Sequence, residues 1–167
     1  MNYANIKHHD VANCPGIRVS LFVSGCTHHC KGCFNAEAWS FTYGEPFTQQ
    51  TVEEILLALQ PAYIQGLSLL GGEPFEPENQ PAVLDLVRQV RAAYPEKDIW
   101  AYSGYTLEQL QTLAPELLAQ ITVLVDGPFV ESQKDLRLAF RGSANQRILD
   151  VPASLKRGEP VFWKENP

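Results

Sequence analysis

Short apolar runs that end in small and polar residues recur along this chain, and they restrict its fold more than any other feature. IRVSLFV (17–23), GLSLLGG (66–72), DIWAYSG (98–104) and ITVLVDG (121–127) are rich in β-branched, aromatic or leucine residues. Between them lie stretches of helical period. TQQTVEEILLALQ (48–60) sets Val52, Ile55, Leu56 and Leu59 on one face, and ENQPAVLDLVRQVRAAYP (78–95) and TLEQLQTLAPELLAQ (106–120) follow the later strands. Thr48 or Thr51 is placed to cap the first helix, Pro95 stops the second, and Pro115 breaks or kinks the third. NQRILDV (145–151) reads as a further strand. Strand-sized and helix-sized pieces in alternation predict βαβ units around a parallel sheet. The expected fold is α/β: a partial (open) β/α barrel of about five to six mostly parallel strands, because this length is too short for eight βα units. Right-handed crossovers then bring the strand C-termini to one rim. There the chain places SGCTHHC, GGEP, SGY and DGPF, on the edge where α/β folds bind ligands.

The 167 residues predict one domain over 1–167, with a core at about 15–151 and an irregular tail at 152–167. A net charge of -6 argues against a nucleic-acid partner, which favours a basic face. No apolar run is long enough to span a membrane, and MNYANIKHHDVANCPG lacks the apolar core of a signal peptide. The expected location is the cytoplasm, where thiols stay reduced.

Three of the four cysteines fall in CTHHCKGC (26–33), spaced C-x3-C-x2-C as Cys26, Cys30 and Cys33. So short a loop gathers its thiolates around one object, and a cubane iron–sulfur cluster suits it because each thiolate can take a separate iron. Three ligands leave one iron open, as reactive metal sites do. Other readings stand beside this one. They are a structural zinc site completed by Cys14 or a histidine, a closed four-cysteine electron carrier using Cys14, and chance thiols in a loop.

The same residues carry a resemblance. CTHHCKGC matches the signature of the radical S-adenosylmethionine superfamily, and GGEP (71–74) matches its second motif. PGIRVSLFVSGCTHHCKGCFN, LSLLGGEPF, KDIWAYSGYTLEQL, VLVDGPF and RGSANQR follow in order over most of the chain. Together they resemble the activating proteins of anaerobic (class III) ribonucleoside-triphosphate reductases. The resemblance implies a [4Fe–4S] cluster on Cys26, Cys30 and Cys33, with S-adenosylmethionine chelating the open iron. One electron, from a donor such as flavodoxin, would cleave the sulfonium bond. The resulting 5′-deoxyadenosyl radical would take a hydrogen atom from a glycine of the reductase. No catalytic side chain is implied beyond the cluster and S-adenosylmethionine. Another glycyl-radical enzyme or a small molecule as the target, and a simple iron–sulfur electron carrier, are the competing functions. A chain with no residues to spare for a lid favours a protein substrate that closes the rim itself.

Cofactor contacts are expected from the GGEP turn, with Gly71, Gly72 and Pro74 shaping it and Glu73 and backbone carbonyls accepting from the ligand ammonium. Ser103 and Gly104 are placed for the ribose or carboxylate, or serve as plain turn residues. Asp126 faces the ligand or forms an Asx turn with Gly127. Arg141 is placed to pair with a ligand carboxylate, and Asn145 lies in the same family-like text. Gly32 sits before the third cysteine, where many family members carry an aromatic residue, and Phe34 follows it as the nearest candidate for the adenine. Cys14 stands where activases often have glycine and is read as a non-ligand. Arg18 reads as a surface salt bridge, His28 and His29 as spacers behind the ligands or toward solvent, and Trp39, Trp100 and Trp163 as packing residues. His8 and His9 carry no assigned role.

Overall fold

In a computed structural model, residues 1–163 are described, so residues 164–167 of the expected tail lie outside the described residues. The strands are β1 (Asn2–Asp10), β2 (Ile17–Val23), β3 (Glu45–Pro46), β4 (Ile64–Gly71), β5 (Asp98–Tyr102), β6 (Val123–Asp126) and β7 (Arg147–Asp150). The helices are α1 (Gln49–Leu59), α2 (Gln80–Ala93), α3 (Leu107–Leu113), α4 (Pro115–Leu118) and α5 (Val151–Arg157). All seven strands form one sheet in the order β3-β1-β2-β4-β5-β6-β7. β2, β4, β5 and β6 are parallel neighbours. β1 and β3 extend the sheet antiparallel on one side, and β7 does so on the other. The two edges do not meet, so the sheet is open, as expected. The strand count exceeds expectation because β1 and the two-residue β3 carry no apolar alternation.

Local chemistry sets the helix ends. Thr48 and Thr51 exchange side-chain and backbone hydrogen bonds as a capping box at the start of α1, and Thr106 and Gln109 do the same for α3. Pro115 divides the third helical stretch into α3 and α4, with Ala114 between them at φ -147°. A residue before proline is pushed out of the α region, which accounts for the break.

Alternation along the strands supplies two cores. Val19, Leu21 and Val23 of β2, Leu67 and Leu69 of β4, Ile99 and Ala101 of β5 and Leu124 of β6 face the helices. There they meet Val52, Ile55, Leu59, Val83, Leu86, Val87 and Val90. On the other face, Trp100, Val123, Val125 and Ile148 pack with Cys14, and Tyr102, Phe140 and Trp163 close over them. Trp100 meets Phe140 and Trp163 edge-on, at ring-centre distances of 5.7 and 4.9 Å. The β2–β4 pairing shifts register once, between Ile17 and Arg18 at the start of β2, and runs in step from there to Val23 and Gly71, so the C-terminal ends of these strands stand side by side.

Arg18 departs from the surface role expected of it. Its side chain is 1% exposed on the second face, donating to Ser68 Oγ (2.7 Å), Leu67 O (2.9 Å) and Asp98 Oδ1 (2.5 Å). A guanidinium this buried needs those acceptors to offset its lost hydration.

Candidate functional site

The C-terminal ends of the parallel strands surround a cleft of about 430 Å³. Cys26, Cys30 and Cys33 all line it, with Gly71 and Gly72 across from them and Ser103 and Gly104 at the next strand end. The cysteine loop is tied at its base. Gly25 N–H donates to Ala38 O (2.7 Å) and Cys26 N–H to Trp39 O (3.1 Å), both in the short 3-10 helix Ala36–Trp39. Cys33 N–H closes a turn onto Cys30 O (3.1 Å), and Asn35 N–H points at Cys33 Sγ (3.4 Å). Burial pushes the Cys26 thiol up to about 11, so without metal it stays protonated at neutral pH. A coordinating cation removes that proton, which couples metal uptake to proton release.

Cys14 lies elsewhere. It is 2% exposed in the second core, accepts a hydrogen bond from Ser68 Oγ (3.2 Å), and does not line the cleft. Burial pushes its thiol to about 11 as well. Three convergent thiols with the fourth apart fit a cluster bound through three cysteines.

Glu73 lines the cleft and is also tied into the rim by the protein itself. Its side chain is 1% exposed, and both oxygens meet protein donors. Oε1 accepts from Phe75 N–H (3.0 Å) and Ser103 Oγ (2.9 Å), while Oε2 accepts from Gly104 N–H (2.8 Å) and pairs with His28 Nε2 (2.8 Å). A carboxylate so supplied is held firmly by protein donors. It joins three rim segments: the cysteine loop through His28, the GGEP turn through Phe75, and the end of β5 through Ser103 and Gly104. His28 is therefore a structural member of the site rather than a solvent-facing spacer. The hydrogen bond to Glu73 raises its pKa. His29 stacks on Trp39 at 4.4 Å, so Trp39, which lines the cleft, does more than fill the core.

Two glycines allow these segments to close on one another. A Cβ on Gly72 would stand 2.6 Å from Gly25 O and 2.9 Å from Ala38 O. A Cβ on Gly104 would stand 2.6 Å from the His28 ring. A side chain at Gly72 would collide with backbone, and one at Gly104 would have to displace the His28 ring.

The remaining predicted residues divide. Phe34 is 65% exposed at the cleft mouth, tilted against Phe129 at 5.1 Å, with Lys134 Nζ 4.9 Å from its ring centre. Arg141 lines the cleft and donates to Gln146 O (3.0 Å). Pro74 is buried in its turn. Asp126 is not brought into the cleft. Its oxygens are held by Arg147 (2.9 and 2.5 Å) and by Leu107 N–H at the start of α3 (2.7 Å), and no Asx turn to Gly127 forms. Asn145 bridges Pro128 O and Ser143 Oγ in the loop beyond β6. His8 pairs with Glu54 on the surface and His9 stacks on Tyr63, both away from the cleft.

Two buried residues here have no signature in the sequence. Glu76 accepts from Thr27 N–H (2.8 Å) and Thr27 Oγ (2.7 Å), inside the cysteine loop. Asn79 donates to Ser24 O and Glu73 O, both at 3.0 Å, strapping the strand before the cysteines to the GGEP turn. The spacing in GGEPFEPEN was the one available hint, since a single helical turn returns residues 76 and 79 beneath the motif.

Comparison with known proteins agrees with this geometry. The family described as a 4Fe-4S single cluster domain matches residues 12–149. An anaerobic ribonucleoside-triphosphate reductase-activating protein of Vibrio cholerae is 49% identical over 150 residues, covering 89% of this chain and 97% of the relative. The protein of the same name from Escherichia coli K12 is 45% identical with the same coverage. That of Enterobacteria phage T4 is 44% identical over 148 residues, covering 89% and 93%. With an iron–sulfur family spanning most of the chain and relatives matched nearly end to end, the chain belongs to the family of anaerobic ribonucleoside-triphosphate reductase-activating proteins.

Proposed function

We propose that this chain is a radical S-adenosylmethionine activase whose target is an anaerobic ribonucleoside-triphosphate reductase. The observation that carries the reading is the convergence of Cys26, Cys30 and Cys33 on one cleft walled by the GGEP turn, while Cys14 is buried apart from it. When bound there, a [4Fe–4S] cluster and S-adenosylmethionine supply the one-electron cleavage that ends in a glycyl radical on the reductase.

The chain's own residues supply position and shelter. Cys26, Cys30 and Cys33 hold the cluster. The backbone of Gly71 and Gly72 receives the methionine end of S-adenosylmethionine, with Glu73 and Pro74 keeping that turn in place. Ser103 and Gly104 form the adjoining wall. Arg141 meets the carboxylate and Phe34 offers an aromatic face at the mouth, where the partner closes the cleft and excludes water. Asp126 supports this wall from behind by anchoring Arg147 and α3. The electron comes from a low-potential donor such as flavodoxin. No helix among the described residues is long and apolar enough to cross a membrane, and the reaction needs none.

The test is anaerobic reconstitution with iron and sulfide, followed by reductant, S-adenosylmethionine and the reductase of the same source. Electron paramagnetic resonance should show a doublet on the reductase that is absent without S-adenosylmethionine and absent with Cys30→Ala. Formation of 5′-deoxyadenosine without a radical on the reductase would place the partner wrongly. A full cluster with neither product would leave simple electron transfer as the function.

A further inference from the structure

We infer that Glu76 lowers the reduction potential of the bound cluster, acting through its charge. The inference rests on the reading that Cys26, Cys30 and Cys33 hold an iron–sulfur cluster. Glu76 is 3% exposed, and its carboxylate is fixed by Thr27 N–H (2.8 Å) and Thr27 Oγ (2.7 Å). Thr27 directly follows the first ligand. A Glu76 oxygen, Cys26 Sγ and a His28 ring nitrogen all lie within 4.8 Å of one another. A charge on Glu76 is therefore one side chain away from the iron that Cys26 would hold.

The neighbouring carboxylate behaves differently. Glu73 faces His28 and has further donors from Ser103, Gly104 and Phe75. The hydrogen-bond donors to Glu76 are the neutral backbone and hydroxyl groups of Thr27. Among the described residues, no Lys or Arg ion pair includes it. Its carboxylate is thus oriented by the loop, and the nearest base to it is the His28 ring, which also pairs with Glu73.

Reduction adds one electron to the cluster. A fixed negative charge beside a ligand sulfur, on a side chain only 3% exposed, disfavours the more negative state. The couple moves to lower potential, and the reduced cluster becomes a stronger donor. Cleavage of a sulfonium bond requires such a donor. Glu76 does not line the cleft, so it acts as a positioning and tuning residue, holding Thr27 with its oxygen and shaping the potential with its charge.

The experiment is a redox titration of the reconstituted full-length protein without S-adenosylmethionine, read by the electron paramagnetic resonance signal of the reduced cluster. Wild type is compared with Glu76→Gln, Glu76→Asp and Thr27→Val. Gln retains an acceptor for Thr27 and removes the charge. The expected result is an unchanged iron and sulfide content with a midpoint shifted upward, so that the reduced-to-oxidised ratio at a fixed potential rises severalfold. Glu76→Asp and Thr27→Val keep the charge and stay near wild type. An unshifted Glu76→Gln midpoint overturns the inference. So does an equal shift in Glu76→Asp, which makes geometry the cause, or loss of the cluster from Glu76→Gln alone, which makes the role structural. A wild-type protein that takes up no cluster overturns the underlying site instead, and that failure is visible before any variant is examined.

Discussion

Replacing Glu73 by alanine should destabilise the metal-free protein as strongly as deleting part of its core. The substitution strips an acceptor from Phe75 N–H, Ser103 Oγ, Gly104 N–H and His28 at once. Leaving a buried neutral donor without a partner costs about 1–3 kcal/mol. Cleft water will reach some of these groups, so the sum is smaller than four full penalties. Removing one member of a buried charged network costs about 3–5 kcal/mol, and about 4 kcal/mol is the value expected here. With a urea slope of about 2 kcal/mol/M, the unfolding midpoint falls by about 2 M. Glu73→Gln will not restore it. Its amide presents N–H donors either to Gly104 and His28 or, flipped, to Ser103 and Phe75. The assay is equilibrium urea unfolding followed by far-UV circular dichroism, with the exposed Glu53→Ala as control, expected within about 0.5 kcal/mol of wild type. A Glu73→Ala midpoint no lower than that control would refute the claim that one carboxylate joins the three rim segments.

Three other outcomes follow from the same geometry. In metal-free protein at about pH 8, iodoacetamide should label Cys30 and Cys33 well before Cys14, because only thiolate reacts and burial pushes the Cys14 thiol to about 11; equal labelling on peptide mapping would contradict the placement of Cys14. Arg18→Ala should cost about 3–5 kcal/mol by leaving Asp98 and Ser68 without their donor, and Arg18→Met should cost less, both read from unfolding midpoints; a loss for Arg18→Ala as small as that of a surface substitution would rule out the buried ion pair. The hydrogen bonds from Arg147 hold the Glu108 carboxyl below its ordinary value of 4.5, so this half-exposed pair contributes at neutral pH and loses its contribution as pH falls below 4.5 through the lowered value. The small stability difference between wild type and Glu108→Gln should therefore close in acid, and a gap that widened below pH 4.5 would reverse the assigned sign.

Periodicity and spacing in the sequence determined much of this molecule. The parallel strands, the helices between them and the break at Pro115 rest on local pattern, because burying a strand or a helix face imposes a period that the chain must display. Cys26, Cys30 and Cys33 needed only to be close in the chain to be close in space, so the loop that gathers them was legible too. The GGEP turn was legible by the same logic as two glycines at a strand end. Tertiary structure alone decided the rest. β1 is mostly polar and intermediate to exposed, and its place comes from backbone pairing with β2, which leaves no side-chain signal. Arg18, Glu73, Glu76 and Asp126 are charged residues whose usual place is the surface. Each is buried here because its partner arrives from a distant segment: Asp98 for Arg18, Ser103 and His28 for Glu73, Thr27 for Glu76, and Arg147 for Asp126. A buried charge is settled by the geometry of its partners, and that geometry exists only once the sheet has brought the strand ends to one rim.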